Sequence, residues 1–174
     1  MKEKASGWFS RGALLLLVTI LLLGGCGGAL FTYLGAQVRE GHLIALTDGS
    51  DSESRYRSND LIMGYRWSRR GNELLLSGVA SYAPGIRSGF TLIPYFHLSV
   101  FLTDGRGVIL ADRGITTPGS SEPGNIMRFK EKLLLPPGTT HMAFSYSGQG
   151  RISGGTGEDR GGGEMPFWEV PIVR

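Results

Sequence analysis

Leu92-Ile93-Pro94-Tyr95-Phe96-His97-Leu98-Ser99-Val100-Phe101-Leu102 is the stretch that decides the fold class. Phe96, Leu98, Val100 and Leu102 recur at period two, so they share one face of an extended strand and His97 takes the other. Thr103-Asp104-Gly105-Arg106-Gly107 follows, and Asp-Gly supplies the left-handed conformations of a tight hairpin. Val108 to Asp112 is the returning strand.

Working outward, the same rhythm of short apolar runs and Gly, Pro, Asp or Ser clusters continues in both directions. Upstream, His42 to Leu46 opens the domain and Thr47 to Ser54 is a polar loop. Asn59 to Ser68 and Glu73 to Tyr82 are strands, joined by Arg69-Arg70-Gly71-Asn72 as a hairpin connection. Downstream, Phe129 to Leu135 and His141 to Ser147 flank Pro136-Pro137-Gly138, whose prolines are excluded from a central strand. Pro166 and Pro171 restrict a last strand, Phe167 to Val173, to an edge. Thr116 to Asn125 holds two Pro and two Gly and reads as a loop crossing between sheets. Gly148 to Gly163 holds eight glycines among sixteen residues and reads as a long flexible hairpin loop. The expectation is an all-β domain over residues 55–174, seven or eight strands in two antiparallel sheets packed face to face.

The N-terminus carries targeting information. Lys2, Lys4 and Arg11 against a single Glu3 precede an apolar run from Ala13 to Leu23, which ends in Leu23-Gly24-Gly25-Cys26. Basic start, apolar core and small residues before a cut are the parts of a secretory signal, here residues 1–25. The competing reading is a membrane-spanning helix over residues 13–34, since no charge lies between Arg11 and Arg39 and a span needs about 20 apolar residues. Gly24, Gly25, Gly27 and Gly28 oppose a helix at its midpoint, although Gly24 and Gly28 have the spacing of packed transmembrane helices. Either reading places the C-terminal part outside the cytoplasm, with residues 26–54 as tether and entry segment.

The 174 residues carry 18 Lys and Arg against 15 Asp and Glu. Without Lys2, Lys4, Arg11 and Glu3, 15 basic and 14 acidic residues remain, so the basic excess belongs largely to the signal and gives no support to a nucleic-acid partner. Cys26 is the sole cysteine, so an intramolecular disulfide is impossible and packing must stabilise the domain.

Catalytic motifs are lacking. Residues 154–163 are Gly-rich but have no Lys-Ser or Lys-Thr opening a helix, which a phosphate loop needs. His42, His97 and His141 are far apart and share no metal-ligand spacing. There is no Gly-x-Ser-x-Gly elbow, and Ser145 and Ser147 alternate like the polar face of a strand. Asp48, Asp51 and Glu53 lack the pattern of a calcium loop. No metal, cofactor or catalytic residue is assigned. Paired carboxylates of a glycan or lipid hydrolase would have to gather from separate strands.

The candidate binding surface is Arg55, Arg57, Arg66, Arg69 and Arg70 with Trp67, interleaved with Tyr56 and Tyr65. Arginine beside aromatics binds anionic groups or stacks on rings. The alternative is a basic hairpin whose charges keep an exposed edge from pairing with other chains.

Leu23-Gly24-Gly25-Cys26 resembles a bacterial lipobox, and with the strand rhythm the chain resembles a small bacterial envelope lipoprotein carrying an immunoglobulin-like β-sandwich domain. The resemblance implies cleavage before Cys26, lipid such as palmitate on that cysteine, and a membrane lipid as the partner of the N-terminus. Gly27 in place of Asp after the cysteine implies outer-membrane sorting in a Gram-negative host. The expected role is non-enzymatic: a binding or assembly module of the cell envelope, meeting an envelope protein or an anionic glycan or lipid. The alternatives are a single-pass membrane protein with a structural sandwich and an envelope hydrolase.

Overall fold

The protein is described from a computed structural model covering residues 32–49, 51–152 and 163–173. The lipobox, most of the apolar stretch 13–34 and most of the Gly-rich segment 154–163 lie outside those residues. No helix among the described residues is long and apolar enough to cross a membrane.

The described residues form nine strands: β1 (Ile44–Ala45), β2 (Asp51–Arg57), β3 (Leu61–Arg70), β4 (Glu73–Tyr82), β5 (Leu92–Thr103), β6 (Ile109–Thr116), β7 (Ile126–Leu134), β8 (His141–Arg151) and β9 (Glu164–Glu169). One short helix, α1 (Pro84–Gly89), links β4 to β5, with proline in its first turn and only Ile86 buried. The four-stranded sheet runs β2-β3-β4-β7; the five-stranded sheet runs β1-β8-β5-β6, with β9 also pairing β8. Every pairing is antiparallel. The fold is therefore an all-β sandwich of two antiparallel sheets. β4 neighbours β7 in one sheet, β5 neighbours β8 in the other, and the chain crosses from β4 to β5 and from β7 to β8. That interlocked crossing is the arrangement of immunoglobulin-like sandwiches.

The strand rhythm explains the core. Leu61, Met63, Tyr65 and Trp67 alternate inward along β3, and Phe96, Leu98, Val100 and Leu102 alternate inward along β5 to meet them. Each large apolar side chain buried this way contributes about 1.5–3 kcal/mol. With no disulfide, aromatic contacts link the sheets: Tyr65 on Phe144 at 4.9 Å, Tyr82 on Phe96 at 5.3 Å, and Tyr82 edge-on to Phe167 at 6.0 Å.

Turns follow local chemistry. Gly71-Asn72 joins β3 and β4 as a two-residue loop, with Gly71 at φ 58° in the first position, where a II′ hairpin demands glycine. In the β5–β6 turn the left-handed residue is Gly107 (φ 81°), not Gly105. Asp104 organises that turn: its Oδ1 accepts from the backbone N–H groups of Arg106 and Val108, both at 2.9 Å. These bonds hold the Asp104 carboxyl below the usual range.

Three sequence expectations are corrected. First, Thr47 to Ser54 is not all loop, because β2 begins at Asp51 and pairs with β3 from Asp51↔Ser68 to Arg57↔Ile62. Second, the compact unit begins at Tyr33 rather than residue 55. Residues 33–43 lie over the outer face of the five-stranded sheet, where Val38, Phe101, Ile109 and Ala143 form a second small core with Tyr33, Leu43 and Ile172 against it. The Val38 N–H donates to the Gly107 carbonyl at 2.8 Å, and the C-terminal residues clasp the same segment through Arg39 N–H to Pro171 O and Val173 N–H to Gln37 O. Third, Gly148 and Gly150 are not loop glycines: β8 runs through both, paired with β5 and β9. A side chain at Gly148 would collide with the ring of Phe167, and one at Gly150 with the ring of Phe90. The glycines are gaps that let two aromatic rings lie on the backbone. The final strand keeps the expected edge position, β9 pairing β8 alone, but it runs Glu164–Glu169 rather than Phe167 to Val173, with Pro166 inside it and Pro171 beyond its end.

Candidate functional site: a cationic sheet face

The outer face of the four-stranded sheet collects the charge. Register fixes its rows: Glu53, Arg66, Ser77 and Lys130 lie side by side, as do Arg55, Gly64, Val79 and Arg128, and Arg57, Ile62, Ser81 and Ile126. Asp51, Ser68, Leu75 and Lys132 form a further row, and Arg70, Glu73 and Leu134 the last. Strands about 4.8 Å apart and side chains about 6.6 Å apart along each strand make a patch roughly 15 Å wide and longer than that. All seven of its cations, Arg55, Arg57, Arg66, Arg70, Arg128, Lys130 and Lys132, are exposed.

Two cations are paired. Arg66 Nη2 donates to Glu53 Oε2 at 2.8 Å, and Lys132 Nζ sits 2.7 Å from Glu73 Oε1. The hydrogen bond and charge of Arg66 lower the Glu53 carboxyl below its ordinary range. Arg55, Arg57, Arg70, Arg128 and Lys130 have no ion-pair partner among the described residues. Between the cations the face carries Leu75, Val79, Ile126 and Leu134, exposed by 44, 37, 60 and 63%. Small residues lower the floor: a hollow of about 360 Å³ opens between Arg66, Ser68, Leu75, Ser77, Lys130 and Lys132. A second, of about 530 Å³, adjoins it around Gly64, Ser77, Val79 and Arg128.

Four of the residues read from the sequence as a binding surface, Arg55, Arg57, Arg66 and Arg70, come together here. Two do not. Trp67 is 4% exposed and belongs to the core, because residues alternating with outward arginines must point inward. Tyr56 and Tyr65 face inward for the same reason, so no aromatic ring lies among these arginines. Arg69 is also on the inward parity. Its guanidinium donates to the carbonyls of Leu46 at 3.3 Å, Thr139 at 3.1 Å and Gly71 at 3.1 Å and approaches Asp48 at 3.3 Å. It ties three loops together at the end of the sandwich. Sequence reading missed Arg128, Lys130 and Lys132 on β7, although Arg-x-Lys-x-Lys over residues 128–132 places three cations on one strand face.

The other candidates are dispersed. His42 Nδ1 lies 3.6 Å from Glu169, His97 Nδ1 bonds Thr117 at 2.8 Å, and His141 Nδ1 bonds Thr140 at 2.9 Å. Among the described residues no group of three His, Cys, Asp or Glu side chains is placed to hold a metal ion. Ser145 is buried and donates to the Glu169 carbonyl at 3.2 Å. A polar cluster does cross between the sheets: Tyr146 O–H donates to Asp60 at 3.0 Å and lies 2.8 Å from Ser58, while Tyr56 O–H donates to Glu169 at 2.8 Å. Burial raises both phenols well above their ordinary values, with Glu169 adding to the effect at Tyr56. These groups staple β2 and the β2–β3 turn to β8 and β9 across the open side of the sandwich.

No family model, curated protein or solved structure matches this chain.

Proposed function

We propose that this protein is a non-enzymatic binding or assembly module of the bacterial cell envelope, held at a membrane by lipid on Cys26 with its sandwich outside the cytoplasm. The working surface is the cationic face of the four-stranded sheet. One observation carries this reading: seven exposed Lys and Arg side chains share a face on which register places three acids, Asp51, Glu53 and Glu73, and Glu53 and Glu73 are each bound to a cation. A face that merely needed solubility would mix the two signs. Like charges about 7 Å apart repel by about 0.6 kcal/mol per pair in water, a cost that an anionic partner removes. Gly27 after the cysteine favours the outer membrane in a Gram-negative host.

The anchor is tested by expressing the full chain with labelled palmitate beside Cys26→Ala and recording label and mature mass. Label in the parent alone, with residues 1–25 lost, supports the lipoprotein. An unlabelled, uncleaved chain that stays in the membrane replaces it with a single-pass anchor over residues 13–34. No observation among the described residues favours the hydrolase reading over a binding module.

A further inference from the structure

We propose that the outer face of the four-stranded sheet docks on an anionic phospholipid bilayer, a membrane facing the one that holds the anchor; the choice of facing membrane rests on the anchored reading above. Three features select lipid over a soluble acidic polymer. First, the cations are long, flexible side chains on one face of a sheet, so their charges can reach one plane of phosphates at once. Second, exposed aliphatic groups alternate with them. Val79 lies between Gly64 and Arg128, Leu75 beside Lys132, and Ile126 and Leu134 at the two ends of β7. An acidic glycan would be met by the Lys and Arg side chains alone, and the Leu, Val and Ile between them gain nothing from it. At a bilayer the same side chains enter the headgroup boundary while the cations stay with the phosphates. Third, the small residues Gly64, Ser68 and Ser77 open hollows of about 360 and 530 Å³ between Arg66, Arg128, Lys130 and Lys132, where these cations outnumber the one glutamate that lines each hollow, Glu131 and Glu53 respectively.

The entry segment determines which membrane. Tyr33 and Val38 pack over Phe101 on the outer face of the five-stranded sheet, the opposite side of the sandwich from the cations. Residues 26–32 reach at most about 25 Å when fully extended. The two sheets are about 10 Å apart, and their outer side-chain layers bring the thickness to roughly 20 Å. Docking on the anchoring membrane would therefore require a nearly straight tether, with the ordering cost that implies. Docking on a facing bilayer leaves the tether unconstrained.

The test uses the full chain reconstituted in neutral phosphatidylcholine vesicles, with flotation reporting the anchor before the face is probed. A second, tagged vesicle population is then offered, either phosphatidylcholine alone or phosphatidylcholine with phosphatidylglycerol, and co-capture is measured. Capture of anionic vesicles only, falling as added salt cuts the Debye length from about 8 to about 3 Å, is expected. Arg55→Gln, Arg128→Gln and Lys130→Gln combined should lower affinity about a hundredfold, about fivefold per cation. Leu75→Ser with Val79→Ser, which leaves the charge intact, should lower it about tenfold, the value of some 55 Å² of newly buried apolar surface. Unchanged Trp67 fluorescence establishes that each variant is folded. Equal capture of neutral and anionic vesicles, or full capture by the triple variant, would overturn the proposal while the floating protein still upheld the anchor. So would loss of capture to dextran sulfate together with an unaffected Leu75/Val79 variant, which assigns the face to a soluble polyanion. Protein that does not float with neutral vesicles removes the anchor and the facing-membrane assignment. Its direct binding to anionic vesicles, with the same variants, then reads the lipid specificity of the face.

Discussion

Replacing Gly148 with alanine tests whether the glycines of β8 are structural. An added Cβ would meet three atoms of the Phe167 ring, two of them at 2.8 and 2.9 Å. Carbon atoms rest at about 3.5–4.0 Å, so the ring must retreat by about 1 Å. It has little room, since Phe167 lies 6.0 Å from Tyr82, 6.0 Å from Phe90 and 6.2 Å from Phe96, centroid to centroid. Overpacking of this kind costs about 1–3 kcal/mol. Alanine returns about 0.5 kcal/mol by restricting the unfolded chain, leaving a net loss of about 1.5 kcal/mol and a Tm lower by about 5 °C for a domain of this size. Urea unfolding followed by the fluorescence of buried Trp67 measures it. Gly119→Ala, with nothing within 4 Å of its Cβ, is the control and should stay within about 0.5 kcal/mol of the parent. In a Phe167→Ala background, itself about 3–5 kcal/mol less stable, Gly148→Ala should cost nothing. A Gly148→Ala protein as stable as the parent, or additive effects in the double variant, would refute the seat for Phe167 and return the segment to a loop.

Two further outcomes follow from polar groups. Arg69→Ala should destabilise by about 2–3 kcal/mol in the same unfolding assay, because three carbonyls lose a charged donor, while exposed Arg70→Ala stays within about 0.5 kcal/mol; equal effects would contradict the clip. Stability should fall above about pH 10, in a window set by Tyr56, Tyr82 and Tyr146. All three phenols are raised in the fold, Tyr82 to about 12, chiefly by burial. Below pH 10 both folded and unfolded chains hold these protons and the contribution is complete. Above it the unfolded chain releases protons that the folded one keeps, and each phenol removes about 1.4 kcal/mol per pH unit until it ionises in the fold. Alkaline unfolding with Tyr146→Phe should show a shallower slope, and an identical slope would remove Tyr146 from the set.

Much of the sandwich was legible because buried strands advertise themselves by alternation. Glu73–Tyr82 and the run from Leu92 are read within a residue of their observed bounds, and the crossing loop after β6 is marked by its Pro and Gly residues. β2 was not legible: Asp-Ser-Glu-Ser-Arg-Tyr-Arg has one apolar inward side chain, Tyr56, and becomes a strand only because β3 offers it a partner. The helix Pro84–Gly89 is too short for a periodic signal. In the candidate site the arginines were identified but not their neighbours. Parity within β3 already requires Trp67 to oppose Arg66, whereas the company of Arg128 and Lys130 depends on β7 joining β4 across 44 or more intervening residues, which no local pattern encodes.

The clasp between residues 37–39 and 171–173 also bears on the order of events when the chain is made. Synthesis delivers residues 37–39 more than 130 residues before residues 171–173, so the second small core is completed only after the strands between them have emerged. Until then Phe101 and Ala143 lack the cover of Val170 and Ile172, and β8 lacks its β9 edge. Nascent intermediates of this chain therefore lack the bonds that Pro171 and Val173 share with Arg39 and Gln37, and the entry segment is held through its backbone bonds to Gly107 and Ile109 until they form.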